Sequence, residues 1–149
     1  MKVISGCLIE KDNKILMVKE ANPICYGKWN FPAGVVDEGE KIKAAAIREV
    51  FEETGCKVEL KSVLPIVSIE APSKETHVLI RFVAEIRDEN IKFNPEEILD
   101  VKWIDIGKIK EMTIDEIRGY DTTKKFIEDF ENNNTYSLEM ISDLDFPNR

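Results

Sequence analysis

Apolar and polar positions alternate from the start of the chain. Residues 3–9 are mostly apolar and β-branched, Asp12-Asn13 breaks the run, and Ile15 to Val18 resumes it, which predicts two strands closing a hairpin. Residues 21–28 hold Pro23 and Gly27 and predict a loop, followed by a short extended piece at 29–31. The pattern then changes. Residues 42–54 are rich in Ala, Lys, Glu and Ile and are followed by Gly55, which predicts a helix with a glycine stop. Residues 57–70 and 76–86 predict paired strands joined around Pro72, and 101–106 a further strand. Residues 114–118 and 123–131 predict helices, the second ended by three consecutive asparagines, Asn132 to Asn134. No linker or repeat interrupts this order, so one domain is expected over residues 1–149, an α/β fold with a mixed sheet between helices. The acidic, weakly patterned tail (residues 132–149) is either frayed or ordered against the body.

The predicted helix carries unusual chemistry. Glu49, Glu52 and Glu53 stand at i, i+3 and i+4, so they share one side. Three carboxylates within one turn repel one another, and a hard cation with a preference for oxygen ligands would relieve the repulsion. Ile47, Val50 and Phe51 are expected to form the core-facing stripe, and Ala45 and Ala46 to leave room beside the carboxylates. Arg48 precedes Glu52 by four residues and can hold it by an ion pair.

A solvated acidic face explains the glutamates singly. It does not explain Gly34, Glu40, Arg48 and Gly55 at fixed offsets around them. At average usage of roughly 5–8% per residue type, seven such positions coincide by chance about once in 10⁸ windows. The segment GVVDEGEKIKAAAIREVFEETGC, from Gly34 to Cys56, resembles the signature of the Nudix hydrolases, with Val50 and Cys56 at its bulky apolar positions. Cys56 is smaller than the usual aliphatic residue there. The resemblance extends from about residue 2 to residue 130. It implies an α/β/α sandwich and a metal-dependent pyrophosphohydrolase acting on nucleoside di- or triphosphates or related nucleoside diphosphates linked to a second moiety. Mg²⁺, or Mn²⁺, is the implied cofactor. Glu49, Glu52, Glu53 and the Gly34 carbonyl are the implied ligands, Arg48 a positioning group, and Glu40 and Gly55 supports. A nucleotide-sensing module that keeps the fold without turnover is the alternative.

A general base is also needed. Relatives use either a signature glutamate, here Glu52 or Glu49, or one from the loop before a tryptophan-bearing strand, here Glu97 ahead of Trp103. Asn94-Pro95-Glu96-Glu97 equally fits a helix capping box, so both roles for Glu97 stand. Arg81 interrupts the apolar run 78–83 on the side of Leu79 and Val83, which is costly unless it faces a ligand or an ion-pair partner. Trp29 is a second candidate substrate contact, although it and Phe31 also fit the core. Trp103 is expected in the core, and His77, the only histidine, at an ordinary surface or satisfied position. PAG at 32–34 replaces the family's Pro-Gly-Gly and resembles small members that act on nucleotides or pyrophosphorylated vitamin precursors.

Composition narrows the partners. The net charge is −8 with no basic cluster, which argues against general nucleic-acid binding. Three scattered cysteines, Cys7, Cys25 and Cys56, lack metal or disulfide spacing. No segment reads as a signal peptide or membrane span, so a cytoplasmic protein is expected, with a homodimer compatible.

Overall fold

The computed structural model describes residues 1–145 and 147. Strands β1 (Lys2–Lys11), β2 (Lys14–Glu20), β3 (Trp29–Asn30) and β4 (Ala33–Val35) precede helix α1 (Ile42–Thr54). Strands β5 (Lys57–Val63), β6 (Val67–Glu70), β7 (Thr76–Asp88) and β8 (Ile98–Asp105) follow, then helices α2 (Ile106–Glu111) and α3 (Tyr120–Glu131) and the short strand β9 (Tyr136–Ser137). The central pair, β1 and β7, is parallel; the other pairings are antiparallel, so the sheet is mixed as expected. Among the described residues no helix is long and apolar enough to cross a membrane.

Strand alternation sorts the core into two layers. Cys7, Ile9, Leu16, Val18, Ile80 and Phe82 face α1. Leu8, Ile15, Met17 and Leu79 face the other way, against Ile109, Phe126 and Ile127 of α2 and α3. The sheet is not continuous along its length. β1 and β2 pair only at the hairpin end, through Glu10 with Ile15 and Lys11 with Lys14. Beyond that point they diverge: β2 pairs with β8 and β3, while β1 pairs with β7 and β4. The residues between β3 and β4 enter the gap, where the Phe31 ring meets Phe126 edge-on at 6.2 Å and Cys7 N donates to the Pro32 carbonyl.

Several expectations are corrected. The buried side of α1 is Ala45, Ala46, Val50 and Thr54, while Ile47 and Phe51 are 40% and 51% exposed. Small side chains let the helix backbone lie close to the sheet, so the alanines are core rather than spacers beside the carboxylates. Residues 57–70 form two strands, because 64–66 turn between them around Pro65; both lie along β7. Residues 114–118 are a turn, not a helix: Trp29 N donates to the Glu116 carbonyl and Arg118 N to that of Trp29, so their backbone serves β3. The helix lies earlier, at α2, where the Asp105 side chain accepts from Gly107 N. Asn94 to Glu97 likewise begins no helix. Asn94 accepts from Glu96 N and the segment turns directly into β8, so the capping-box role of Glu97 does not hold.

The described part of the tail folds back on the body; residues 146, 148 and 149 lie outside the described residues. β9 pairs with β5, and Leu138 and Ile141 pack on the α1-side core. Asp143 then does what the chain before α1 does not. Lys41 at the N-cap offers no side-chain acceptor, and the Asp143 carboxylate takes the N–H groups of Ile42 and Lys43, each at 3.3 Å. Removing an N-cap acceptor costs about 0.5–2 kcal/mol. Asp143→Ala is therefore expected to lower the melting temperature by roughly 2–6 °C, with Asp143→Asn retaining most of the stability. Differential scanning calorimetry checks this, and an unchanged melting temperature would show that the tail does not support the helix.

Candidate active site

The signature residues meet where α1 passes the loop between β4 and the helix. Arg48 is the centre of that meeting. Its Nε and Nη2 donate to the two Glu40 oxygens at 2.7 and 2.9 Å. Nη1 donates to Glu49 at 2.8 Å and Glu52 at 3.0 Å, and Nη2 also reaches the Val35 carbonyl at 3.2 Å. Asp37 lies 3.5 Å from the same nitrogen. Glu40 accepts in addition from Asp37 N, so its carboxylate closes the loop on itself. The Arg48 hydrogen bonds hold the Glu40 carboxyl at about 2, well below its ordinary value.

The three glutamates have different surroundings. Glu53 turns inward, and its Oε1 accepts from Ala33 N at 2.8 Å. Glu49 lies on Gly34 so closely that a Cβ there would land on the carboxylate, which explains the glycine at this position. Burial raises both carboxyls above their ordinary range; the charges of Glu20 and Glu49 push Glu53 further. Glu52 is 53% exposed and points to Arg48. The carboxylates do not form a closed cluster of three among the described residues. Glu49 and Glu53 nevertheless converge on the β4 backbone, and among the described residues no Lys or Arg side chain forms an ion pair with Glu53. A donor set of hard oxygens in mutual repulsion fits a divalent cation. Gly55 closes the helix in the left-handed region, at φ 77°, with its N–H on the Phe51 carbonyl at 2.8 Å. A side chain at Gly55 would also collide with the Asn90 carbonyl.

Arg81 is only 5% exposed, on the α3 side of β7. Its Nη1 donates to the Ile80 carbonyl, and among the described residues its Nε is buried without a partner and no carboxylate pairs with it. Phe126 stacks 5.5 Å away. Trp29 is half-buried in β3 with the Lys19 ammonium over its ring at 5.8 Å. Glu97 is exposed in the turn before β8, and its carbonyl accepts from Ala21 N. Trp103 is half-buried against the core, donating to Glu89 at 3.3 Å, and His77 lies at the start of β7, 3.7 Å from Glu75.

Two further charged groups belong to this region. Glu20 is 7% exposed at the end of β2, 3.5 Å from Arg118 and 3.4 Å from Asn30 Nδ2. Strand parity carried the signal for Glu20, which follows Leu16 and Val18 on the inward side. Arg118 carried none, because its position depends on the turn that joins 116–118 to β3.

A NUDIX domain family model matches residues 2–130, nearly the whole chain. The chain belongs to the Nudix family. Among curated relatives, an ADP-ribose pyrophosphatase from Methanocaldococcus jannaschii is 31% identical over 72% of this chain and 64% of its own length. A nucleoside diphosphate-linked moiety X motif 6 protein from Xenopus laevis is 33% identical over 71% of this chain and 50% of its own. The match thus spans about half to two thirds of these two relatives. A Nudix hydrolase structure from Nitrosomonas europaea superposes with a TM-score of 0.88 at 26% identity, covering 98% of this chain and 99% of that one.

The Arg48–Glu40 pairing of this Nudix domain gives a pH signature. A carboxyl whose folded value is depressed contributes stability that is present above its unfolded value and lost as pH falls. Glu40→Gln is expected to cost about 1–3 kcal/mol at neutral pH. The gap to wild type should narrow as pH drops from 4.5 toward 2. Urea denaturation across that range reads the effect, and a gap independent of pH would refute the ion pair as its source.

Proposed function

We propose that this Nudix domain is a metal-dependent pyrophosphohydrolase, cleaving a diphosphate linkage in a nucleoside di- or triphosphate or a related nucleoside diphosphate compound. The observation that carries this reading is the convergence of Glu49 and Glu53 on the Ala33–Gly34 backbone, within a signature whose polar positions all match. The pyrophosphatase names of relatives support it: an ADP-ribose pyrophosphatase and, in Pelagibacter ubique, an RNA pyrophosphohydrolase that is 31% identical over 124 residues.

Glu49 and Glu53 would hold the cation, with the Gly34 carbonyl beside them and Glu52 completing the set. A bound Mg²⁺ or Mn²⁺ would neutralise diphosphate oxygens and acidify water. Arg48 keeps Glu49 and Glu52 oriented while Glu40 fixes Arg48 against the loop. Arg81 and Trp29 belong to the substrate side of the gap between β1 and β2. A glutamate takes the proton from the attacking water: Glu52, at the exposed edge of α1, or Glu97, in the turn tied to Ala21.

A panel of nucleotides and nucleoside diphosphate conjugates, assayed with Mg²⁺ for released phosphate or pyrophosphate, tests the reading. Turnover is expected and should vanish in excess EDTA. Binding without turnover would make the domain a nucleotide-sensing module. Glu53→Gln should nearly abolish turnover while raising the melting temperature in metal-free buffer, since a carboxylate in repulsion is replaced by a neutral group. Wild-type kcat in this variant would remove Glu53 from the ligand set. Of Glu52→Gln and Glu97→Gln, the one that removes the base should lose about 10²–10⁴-fold in kcat. Because Glu97 begins no helix, its substitution should leave stability within about 0.5 kcal/mol.

A further inference from the structure

Arg81 is a charge without an evident reason to be buried. It sits in the central strand β7 with 5% of its surface exposed. Isolated buried charges are expensive and are normally paired. Arg81 has a single hydrogen bond, to the Ile80 carbonyl, and its Nε is left without an acceptor. The Phe126 ring offers a stacking face but no counter-charge. Burial lowers its pKa to about 10, so the guanidinium remains charged at neutral pH.

Its place in the sheet says where the missing anion would lie. Arg81 is in register with Gly6 of β1, and Gly6 is in register with Ala33 of β4. Ala33 N is the donor to Glu53. One backbone rung therefore links the buried cation on the α3 side to the acidic residue on the α1 side, at the point where β1 and β2 have parted. Arg118 lies on the same side: its carbonyl accepts from Thr123 Oγ1 at 3.0 Å, one turn of α3 before Phe126, the ring on which Arg81 stacks. Arg118 is 45% exposed in its side chain and contacts Glu20 at a loose 3.5 Å, while its backbone is fixed to Trp29. Its guanidinium can exchange that contact for a stronger acceptor.

We propose that Arg81 and Arg118 seat a free terminal phosphoryl group, so that the substrate ends in an unesterified phosphate instead of carrying a bulky group at both ends of its diphosphate. This rests on the pyrophosphohydrolase reading and narrows it. Little of Arg81 is accessible, so only a small group can reach it. A terminal phosphoryl group supplies three oxygens and up to two negative charges, which match two guanidinium groups. A phosphodiester bearing a ribose or sugar has one charge and needs room beyond the phosphorus.

The test compares full-length wild type, Arg81→Met, Arg81→Lys and Arg118→Ala. With Mg²⁺, kcat/KM is measured for ADP, which has a free terminal phosphate, and ADP-ribose, which has none. Inorganic pyrophosphate binding is measured by calorimetry on the same proteins. The free-ended substrate should be preferred by about 10-fold or more, and Arg81→Met and Arg118→Ala should each weaken pyrophosphate binding by roughly 10–100-fold, the range for charge-assisted hydrogen bonds. The loss in turnover should fall mainly on KM, and Arg81→Lys should recover part of it. Equal or better use of ADP-ribose, or unchanged pyrophosphate affinity in Arg118→Ala, overturns the proposal. Arg118 is at the surface, so that variant stands even if Arg81→Met fails to fold. Arginine-dependent pyrophosphate binding with no turnover of either nucleotide would retain the seat and reject the hydrolase reading.

Discussion

The guanidinium of Arg48 is the constraint on which the acidic site depends. Glu40, Glu49 and Glu52 would repel one another if they were simply gathered. Arg48 binds all three carboxylates and the Val35 carbonyl from one planar group. A lysine in its place could offer charge but not this fixed fork of donors. Because Glu40 also accepts from Asp37 N, the loop is closed before any ligand arrives. Glu53, outside this arrangement, is the carboxylate held by a backbone donor, Ala33 N.

The sheet supplies the second condition. Had β1 and β2 paired along their full length, the α1 face and the α3 face would be separated by continuous backbone. They part after the hairpin end, and the Phe31–Pro32 segment enters between them, with the Pro32 carbonyl accepting from Cys7 N. Gly6 permits the close approach, since a side chain there would strike Pro32 and Ala33. Glu53 and Arg81, from opposite layers, consequently lie along one line of backbone pairing through Ala33 and Gly6. The apolar layers on either side raise the cost of leaving either charge unpaired.

Much of the site was legible in linear order because α1 is one short helix with a nearby loop. Helical spacing alone put Glu49 and Glu53 one turn apart and Arg48 within reach of Glu52. The same spacing points to the wrong core face: hydrophobicity favours Ile47 and Phe51, whereas the close approach of helix to sheet selects the alanines. Turns were the weakest readings. Asn94-Pro95-Glu96-Glu97 and residues 114–118 both satisfy local helix rules, yet their backbone groups go to neighbouring strands, a competition that local propensity does not contain.

The sequence by itself determined the family, the alternating two-layered strands, the glycine-stopped helix and the acidic signature, because each depends on residues within a few turns of one another. It also marked Arg81 as anomalous, since strand parity placed a charge among apolar neighbours. Tertiary structure decided that Arg81 has no carboxylate partner among the described residues, that Glu20 and Arg118 join the same region, and that Asp143 caps α1 from about a hundred residues away. Those facts depend on where β1 and β2 separate and where the tail returns. They arise from long-range packing, for which no local spacing of residues carries a signal.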